Sequence, residues 1–515
     1  RVDTGQDPSR QDHDRGSRTA VPRIWFRSAQ RLRNSRAPNG HHRTRSVQPT
    51  PAVFPEEDHH GSEPRRRGDV VSSEELVVLL LCLAGVHLAG FAGSRRGRED
   101  FVLAGRSLRV PLLVSTLVAT WYGAILASGE FVLRYGIVFL LCFGVPYYIV
   151  AVIYATWLSG RIRGRTSSSI PEQIGAVYGP SARRIAALLL LVITVPASYQ
   201  LMLGHLISYH FGWSLPSSVI IGTVISVSYV LVGGLRSDVY ANVVQALLMF
   251  IGMGLLVAAS VWTFGGPENL MSDQTRPLFN IPGSLGWAGI LSWFVISLQT
   301  LIDPSFYVRA ASAESAHAAR RAILWSVACW VVFDLLQFVA GLYTARFVPQ
   351  AEVTSSYLEL AAAVLPAWGR GIVIAGIVAA ISSTLSGYAL VSASTIARDL
   401  FPRPSVDGVS NARSNRIGLM ISCVAGAAIA INAPSFVDLI LQTASIVVSA
   451  LLLPTLLSHT DASTRFRSSI ISLMILPAAC AILSIVTDVG QPALIGLSSS
   501  LFLHAYHWLK WAQRT

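Results

Sequence analysis

The chain has 515 residues, 52% of them hydrophobic and only 13% charged, with a mean hydropathy of +0.52. Soluble domains carry roughly 25% charged residues, so a soluble protein is excluded. The formal net charge of +12 does not argue for a nucleic-acid partner, because the basic residues fall in alternate connections between apolar runs, the pattern of a membrane topology.

Taken in chain order, residues 1–72 come first: they are rich in Arg, Pro, Ser, Asp and His, show almost no apolar periodicity, and are expected to be disordered. They lack the apolar core of a signal peptide and begin at Arg1 rather than Met. Much of this extension is expected to be an extended or mis-assigned start; a cytoplasmic tail, which would invert the first span, is the other expectation. From residue 73 onward the chain reads as one transmembrane transporter domain, 73–515, with its core at about 110–457. Thirteen apolar runs lie at about 75–93, 110–131, 134–158, 182–209, 214–233, 239–263, 285–306, 321–345, 370–396, 415–432, 435–457, 468–486 and 492–510. Runs of about 18 residues or more cross a hydrocarbon core about 30 Å thick. Lipid offers no partner to a backbone amide, and the period-two alternation of a membrane barrel is missing, so these runs are helices. The fold class is an all-α integral membrane protein.

Arginine and lysine placement orients the spans. Arg95, Arg96, Arg98, Arg106 and Arg109 follow the first span, and Arg161, Arg163, Arg165, Arg183 and Arg184 follow the third. Arg236, then Arg309, Arg320 and Arg321, then Arg398, Arg403, Arg413 and Arg416, Arg465 and Arg467, and finally Lys510 and Arg514 continue the series. The intervening connections hold only Arg134, Arg276, Arg346 and Arg370. By the positive-inside rule the first group is cytoplasmic, which puts the start of the first span outside and the C-terminus inside. The five cysteines all fall within apolar runs with no CxxC spacing, so neither a disulfide framework nor a metal site is expected.

Two spans carry unusual chemistry. The second contains Ala119-Thr120-Trp121-Tyr122-Gly123-Ala124, small and polar where a lipid-facing helix would be leucine-rich. Such a helix either packs closely through its small residues or unwinds, freeing carbonyls that can coordinate a cation near the bilayer midplane. The ninth contains Ala380-Ile381-Ser382-Ser383-Thr384, whose hydroxyls either serve as neutral oxygen ligands or bond back to their own helix. In the seventh span Asp303 is a good N-cap and Pro304 is suited to a first helical position, so a helix is expected to break and restart there. Asp334 and Gln337, at i and i+3, read as an interhelical hydrogen-bonding pair.

The sequence resembles the sodium:solute symporter family from about Phe101 to Lys510. The resemblance rests on Phe101-Val102-Leu103-Ala104-Gly105-Arg106, on Ile170-Pro171-Glu172-Gln173-Ile174 with Tyr178-Gly179, and on Gly233-Gly234-Leu235-Arg236 followed by Val239-Tyr240 and Val243-Val244-Gln245. Asp303-Pro304-Ser305-Phe306-Tyr307 with Arg309-Ala310-Ala311, and the stretch from Ala380 to Asp399, complete it. The resemblance implies a core of ten helices in two inverted halves, with one helix before and two after. It implies a sodium site built from the carbonyls of Ala119, Tyr122 and Ala380 and the hydroxyls of Ser383 and Thr384. It also suggests substrate-facing candidates Trp121, Gln200, Gln299, Thr300 and Gln442, with Asp303 either a helix cap or a ligand. The chain departs from the family at two positions. Trp121 stands where proline carriers have Asp and sugar carriers Asn, so it either faces the solute or packs, and neither substrate is assumed. Asn242 stands at a family Asp thought to help ion release; Asp238, one helical turn earlier, is expected either to take over that role or to be a solvated loop charge.

The expected function is Na+-coupled symport of a small polar organic solute into the cell by alternating access. The expected setting is a bacterial plasma (inner) membrane crossed many times, with the solute, Na+ and lipid as partners and no cofactor, nucleic acid or protein partner. The alternatives are a proton-coupled or uncoupled carrier of the same fold, or a transporter-like sensor, which the end of the chain at Thr515 disfavours. No HExxH, GxSxG or paired intramembrane carboxylates suggest an enzyme.

Overall fold

The computed structural model describes residues 71–94, 101–352, 355–401, 412–433 and 435–513. The N-terminal extension of the sequence reading therefore lies, but for its last two residues, outside the described residues. Among the described residues every regular element is helical, apart from an isolated parallel bridge between Leu108 and Ala313.

The helices are α1 (Ser73–Ser94), α2 (Val110–Ala119), α3 (Ile125–Tyr135), α4 (Leu140–Arg163), α5 (Ile170–Tyr178), α6 (Pro180–Thr194), α7 (Ala197–Phe211) and α8 (Leu215–Phe264). They continue with α9 (Gly286–Ser297), α10 (Pro304–Ser312), α11 (Ala316–Phe347), α12 (Ser356–Val364), α13 (Ala367–Ser394), α14 (Ala412–Asn432), α15 (Phe436–Leu457), α16 (Ile470–Thr487) and α17 (Pro492–Ala512). Among the described residues ten helical stretches are long and apolar enough to cross a membrane. Thirteen passes follow once α8 is divided at its kink, α2 and α3 are taken as one broken pass, and the less apolar α17 is added.

Each break has a local cause. Thr120 and Trp121 turn their amides back to Thr116 and Val118, which ends α2 and leaves 120–124 without helix. The restarted α3 stops at Gly136, whose φ of 55° suits a residue without Cβ. In the seventh pass α9 runs through a 3-10 turn, Leu298–Ile302, before Asp303 caps α10 by accepting the Phe306 amide at 2.9 Å. The two broken passes are five apart, and each half has a short extra helix between its second and third passes, α5 in one and α12 in the other. This is the pattern of two related halves of five.

The sequence reading places 234–238 in a connection between separate spans; the break falls at Gly234, and helical turns resume directly after it. At Gly234 the backbone turns with φ 60° and ψ −143° inside a 50-residue α8. The kink receives the segment 101–106: Leu235 donates its amide to the Phe101 carbonyl at 2.9 Å, and Arg236 donates to the Ala104 carbonyl at 2.9 Å. Two of the sequence motifs are thus halves of one joint. A third, at Ile170, opens α5, where Ser169 caps by accepting the Glu172 amide at 3.1 Å.

The centre of the bundle is α13. In its apolar window 89% of residues are buried, against 22% for α1, so α13 is enclosed by protein and α1 lies at the rim. Small residues permit the enclosure: a Cβ on Gly376 would lie 2.7 Å from the Leu248 carbonyl of α8.

A candidate ion site and solute site

The unwound residues 120–124 lie against α13, and the two sets of oxygens named by the sequence meet there. Ser383 donates its hydroxyl to the Ala119 carbonyl at 2.5 Å, and Thr384 donates to the Thr120 carbonyl at 3.0 Å. Both hydroxyls also reach the Ala380 carbonyl, at 3.3 and 3.1 Å. Back-bonding and bridging therefore coexist, because the bent end of α2 brings foreign carbonyls to the same hydroxyls. Ala119, Ala380, Ser383 and Thr384 are all at most 1% exposed, so their oxygens face one another rather than water. Uncharged hard oxygens in this arrangement suit a small cation.

One member of the expected set is placed differently. The Tyr122 carbonyl accepts the Ile125 amide at 3.1 Å, which starts α3, and its hydroxyl donates to the Trp330 carbonyl at 3.0 Å. The carbonyl that meets Thr384 is that of Thr120, two residues earlier. Gly123 fits beneath Thr384: a Cβ there would lie 2.5 Å from Thr384 Cβ and 2.6 Å from the Tyr199 ring.

Asp238 is neither in a loop nor solvated. It is fully buried, and its Oδ2 meets Arg309 Nη2 at 3.2 Å in an ion pair whose two side chains are 0% and 1% exposed. Ser386 donates to Asp238 Oδ1 at 2.6 Å, and Asn242 donates to Oδ2 at 3.1 Å and to Thr116 Oγ1 at 2.7 Å. Arg309 read as a cytoplasmic loop charge in the sequence; it lies on α10 inside the bundle, because a buried carboxylate from α8 compensates it.

Trp121 stacks on Trp330 with ring centroids 4.5 Å apart and meets Tyr147 and Phe306 edge-on at 5.3 and 5.6 Å. Tyr154 also meets Phe306 edge-on at 5.6 Å. Trp330 Nε1, the Tyr154 hydroxyl and Thr300 Oγ1 are buried and have no hydrogen-bond partner among the described residues. A cavity of about 70 Å³ is lined by Ser198, Tyr199, Gln299, Thr443 and apolar residues of α6, α14 and α15. Tyr199 packs on Tyr388 with ring centroids 5.4 Å apart, and Tyr388 donates to Asp303 Oδ2 at 2.7 Å. The cavity, the cap of α10 and Gly123 therefore meet at the Tyr199–Tyr388 pair.

Two expected cavity residues are elsewhere. Gln200 is fully buried and spends its amide on Thr223 Oγ1 and the Cys423 carbonyl, at 3.0 and 2.9 Å, joining α7 to α8 and α14. Gln442 is exposed, and its neighbour Thr443 takes the cavity-facing phase of α15. Thr443, Tyr199, Trp330 and Arg309 escaped the sequence reading because their partners come from distant passes. Asp334 behaves as read, accepting from Gln337 Nε2 at 3.2 Å and from the Tyr148 hydroxyl of α4.

A family model described as the sodium:solute symporter family matches residues 101–460. The chain is 25% identical to the sodium/proline symporter of Escherichia coli (strain K12) over 361 residues, covering 64% of this chain and 71% of that protein. It is 26% identical to the sodium/pantothenate symporter of the same organism over 377 residues, covering 68% and 77%. Among solved structures, a Na+-coupled sialic acid symporter in a substrate-bound outward-open state superposes with a TM-score of 0.72 at 15% identity, covering 84% of this chain and 97% of that one. Mhp1, a nucleobase-cation-symport-1 family transporter in a closed conformation, gives a TM-score of 0.52 at 16% identity, covering 81% and 96%.

Proposed function

The chain belongs to the sodium:solute symporter family, a multi-pass, Na+-coupled transporter, and on that premise we propose that its coupling ion binds between the broken second pass and α13. The ligands are the carbonyls of Ala119, Thr120 and Ala380 and the hydroxyls of Ser383 and Thr384. The observation that carries this reading is the pairing of both hydroxyls with carbonyls of the break, Ser383 with Ala119 and Thr384 with Thr120. A bound Na+ replaces those two hydrogen bonds with ion–oxygen contacts and so fastens α13 to the break. Tyr122 contributes through its side chain, which anchors the break to α11.

The solute lies on the aromatic wall formed by Trp121, Trp330, Phe306 and Tyr199, with Gln299, Thr300 and Thr443 as its polar contacts. Trp330 Nε1 can only donate, and the Thr300 and Tyr154 hydroxyls can also donate. A small solute with a flat or apolar body and acceptor oxygens matches this lining. Trp121 replaces the side chain that proline or sugar carriers use, so the relatives' solutes do not transfer. Ion and solute communicate through Gly123, which lies against Thr384 and against the Tyr199 ring that lines the cavity. Binding of both stabilises one access state, and release follows when the bundle rocks to the other.

Uptake into proteoliposomes tests the proposal with a panel of amino acids, monocarboxylates, sugars and vitamins, each with and without a sodium gradient. Sodium-driven uptake of one class, lost in Ser383→Ala/Thr384→Ala, is the expected result. Sodium-driven uptake that survives the double substitution defeats the site. A thermal-shift screen with the same panel identifies the solute first, because a ligand of the native state raises apparent stability.

A further inference from the structure

The Asp238–Arg309 pair lies beyond the oxygens proposed for sodium, yet it is joined to them. Ser386, which donates to Asp238, also reaches the Ser383 carbonyl at 3.0 Å. Around the Asp238 carboxylate stand the hydroxyls of Ser386 and Thr116 and the amide of Asn242. The Asn242 Oδ1 atom is buried and has no partner among the described residues. A carboxylate and two hydroxyls are hard oxygens of the kind that hold metal cations, and Asn242 turns its NH2 toward them.

The guanidinium of Arg309 occupies that set. Its Nη2 is 3.2 Å from Asp238 Oδ2, its Nε donates to Thr116 Oγ1 at 2.9 Å, and its Nη1 donates to the Ser305 carbonyl at 3.2 Å. The surroundings accommodate it. A Cβ on Gly387 would lie 3.3 Å from Arg309 Nη2, closer than an ordinary contact, so glycine leaves room for the charge. Asn242 is neutral, so Asp238 is the carboxylate in direct contact with the guanidinium, and the buried Asp303 is its second negative neighbour. A compensated pair is tolerated in a low-dielectric interior, whereas an additional uncompensated cation is costly.

We propose that the Asp238 cluster is a second cation site filled by the chain's own Arg309, so that a single sodium ion, at Ser383 and Thr384, accompanies each solute. Arg309 then sets the ion stoichiometry. The proposal rests on the first sodium site described above, and direct sodium binding separates the two.

Binding of radiolabelled sodium to the purified full chain in lipid nanodiscs needs no solute. The wild-type chain and Arg309→Lys bind one sodium. Arg309→Gln, which uncovers the carboxylate, binds two, and Asp238→Asn/Arg309→Gln returns to one. A folded Arg309→Gln chain that binds one sodium overturns the proposal. If Arg309→Gln is not recovered folded, Arg309→Met decides: two bound sodium ions uphold the proposal, and one overturns it. Adding Ser383→Ala/Thr384→Ala to Arg309→Gln leaves one sodium at the cluster. If the wild-type stoichiometry is untouched by Ser383→Ala/Thr384→Ala, the first site has failed instead.

Discussion

In the proposed arrangement Gly123 is the residue through which ion and solute sites constrain each other. It is the point where the unwound backbone comes closest to α13, with the Thr384 side chain where a Cβ would be, 2.5 Å away. Contacts that short force a shift, and both neighbours are fixed: Thr384 by its bonds to Thr120 and Ala380, Tyr199 by packing on Tyr388. Gly123→Ala therefore pushes Thr384 off the carbonyl cluster. Losing one ion ligand is expected to cost on the order of 1.4 kcal/mol or more, a tenfold weakening. Sodium titration of uptake, or of thermal stability without solute, checks this; an unchanged sodium midpoint would place the ion elsewhere. The backbone spacing that makes Gly123 critical is not visible in the sequence, where it is one small residue among several. Ser383 and Thr384 were singled out through the family resemblance, since their hydroxyls alone left back-bonding to their own helix open. Arg309 was not, because the carboxylate that buries it is 71 residues away.

At the scale of elements, hydropathy located the passes because lipid imposes a length and forbids unpaired backbone. It misplaced what depends on hydrogen bonding. The helices α5 and α12 are too short to register. Gln442 was misassigned by helical phase, since one residue of rotation separates a cavity-facing side chain from an exposed one. The kink at Gly234 also gives a prediction. Its φ of 60° and ψ of −143° are strained for any residue with a Cβ, and a Cβ would lie 2.2 Å from the Phe101 carbonyl. Gly234→Ala is expected to destabilise by about 1–3 kcal/mol from backbone strain alone, more if segment 101–106 is expelled. Thermal unfolding in detergent measures it, and a wild-type midpoint would show that the kink is not needed to seat that segment.

At the scale of the whole molecule, the structure divides the arginines between two ends. Arg106 donates to the carbonyls of Arg165 and Thr166, Arg163 to that of Ala313, Arg236 to that of Ala104, and Arg183 pairs with Asp399 at 2.9 Å. These bonds tie the arginine-rich connections into one end. Arg346 meets Gln274 in the connection after α8, at the other end. His459, at the arginine-rich end, is buried near Arg161 and Arg165, and burial with those charges pushes its imidazole down to about 4 from 6.5. The unfolded chain therefore binds a proton that the folded chain refuses between those values, so stability is full above pH 6.5 and declines as pH falls toward 4. His459→Gln is expected to flatten that part of a plot of melting temperature against pH; an unchanged slope would assign the acid sensitivity to other groups.

The same division of charge sets sidedness, which hydropathy alone cannot. Translocating a short connection is opposed by its Lys and Arg content, so the arginine-rich end is expected to stay in the cytoplasm and bring the C-terminal helix α17 to finish there. The expectation is sharp because the poor end has isolated arginines, two of them engaged: Arg134 with Glu130 at 2.8 Å and Arg370 with Glu75 at 3.5 Å. Single cysteines placed in a chain without its five native ones test it. Asp273→Cys, exposed in the connection after α8, is expected to react with a membrane-impermeant maleimide in intact cells. Thr460→Cys, exposed just after α15, is expected to react only after permeabilisation. The opposite labelling would mean that the arginines do not decide topology in this chain, and that the direction of sodium-driven transport must be reassigned with it.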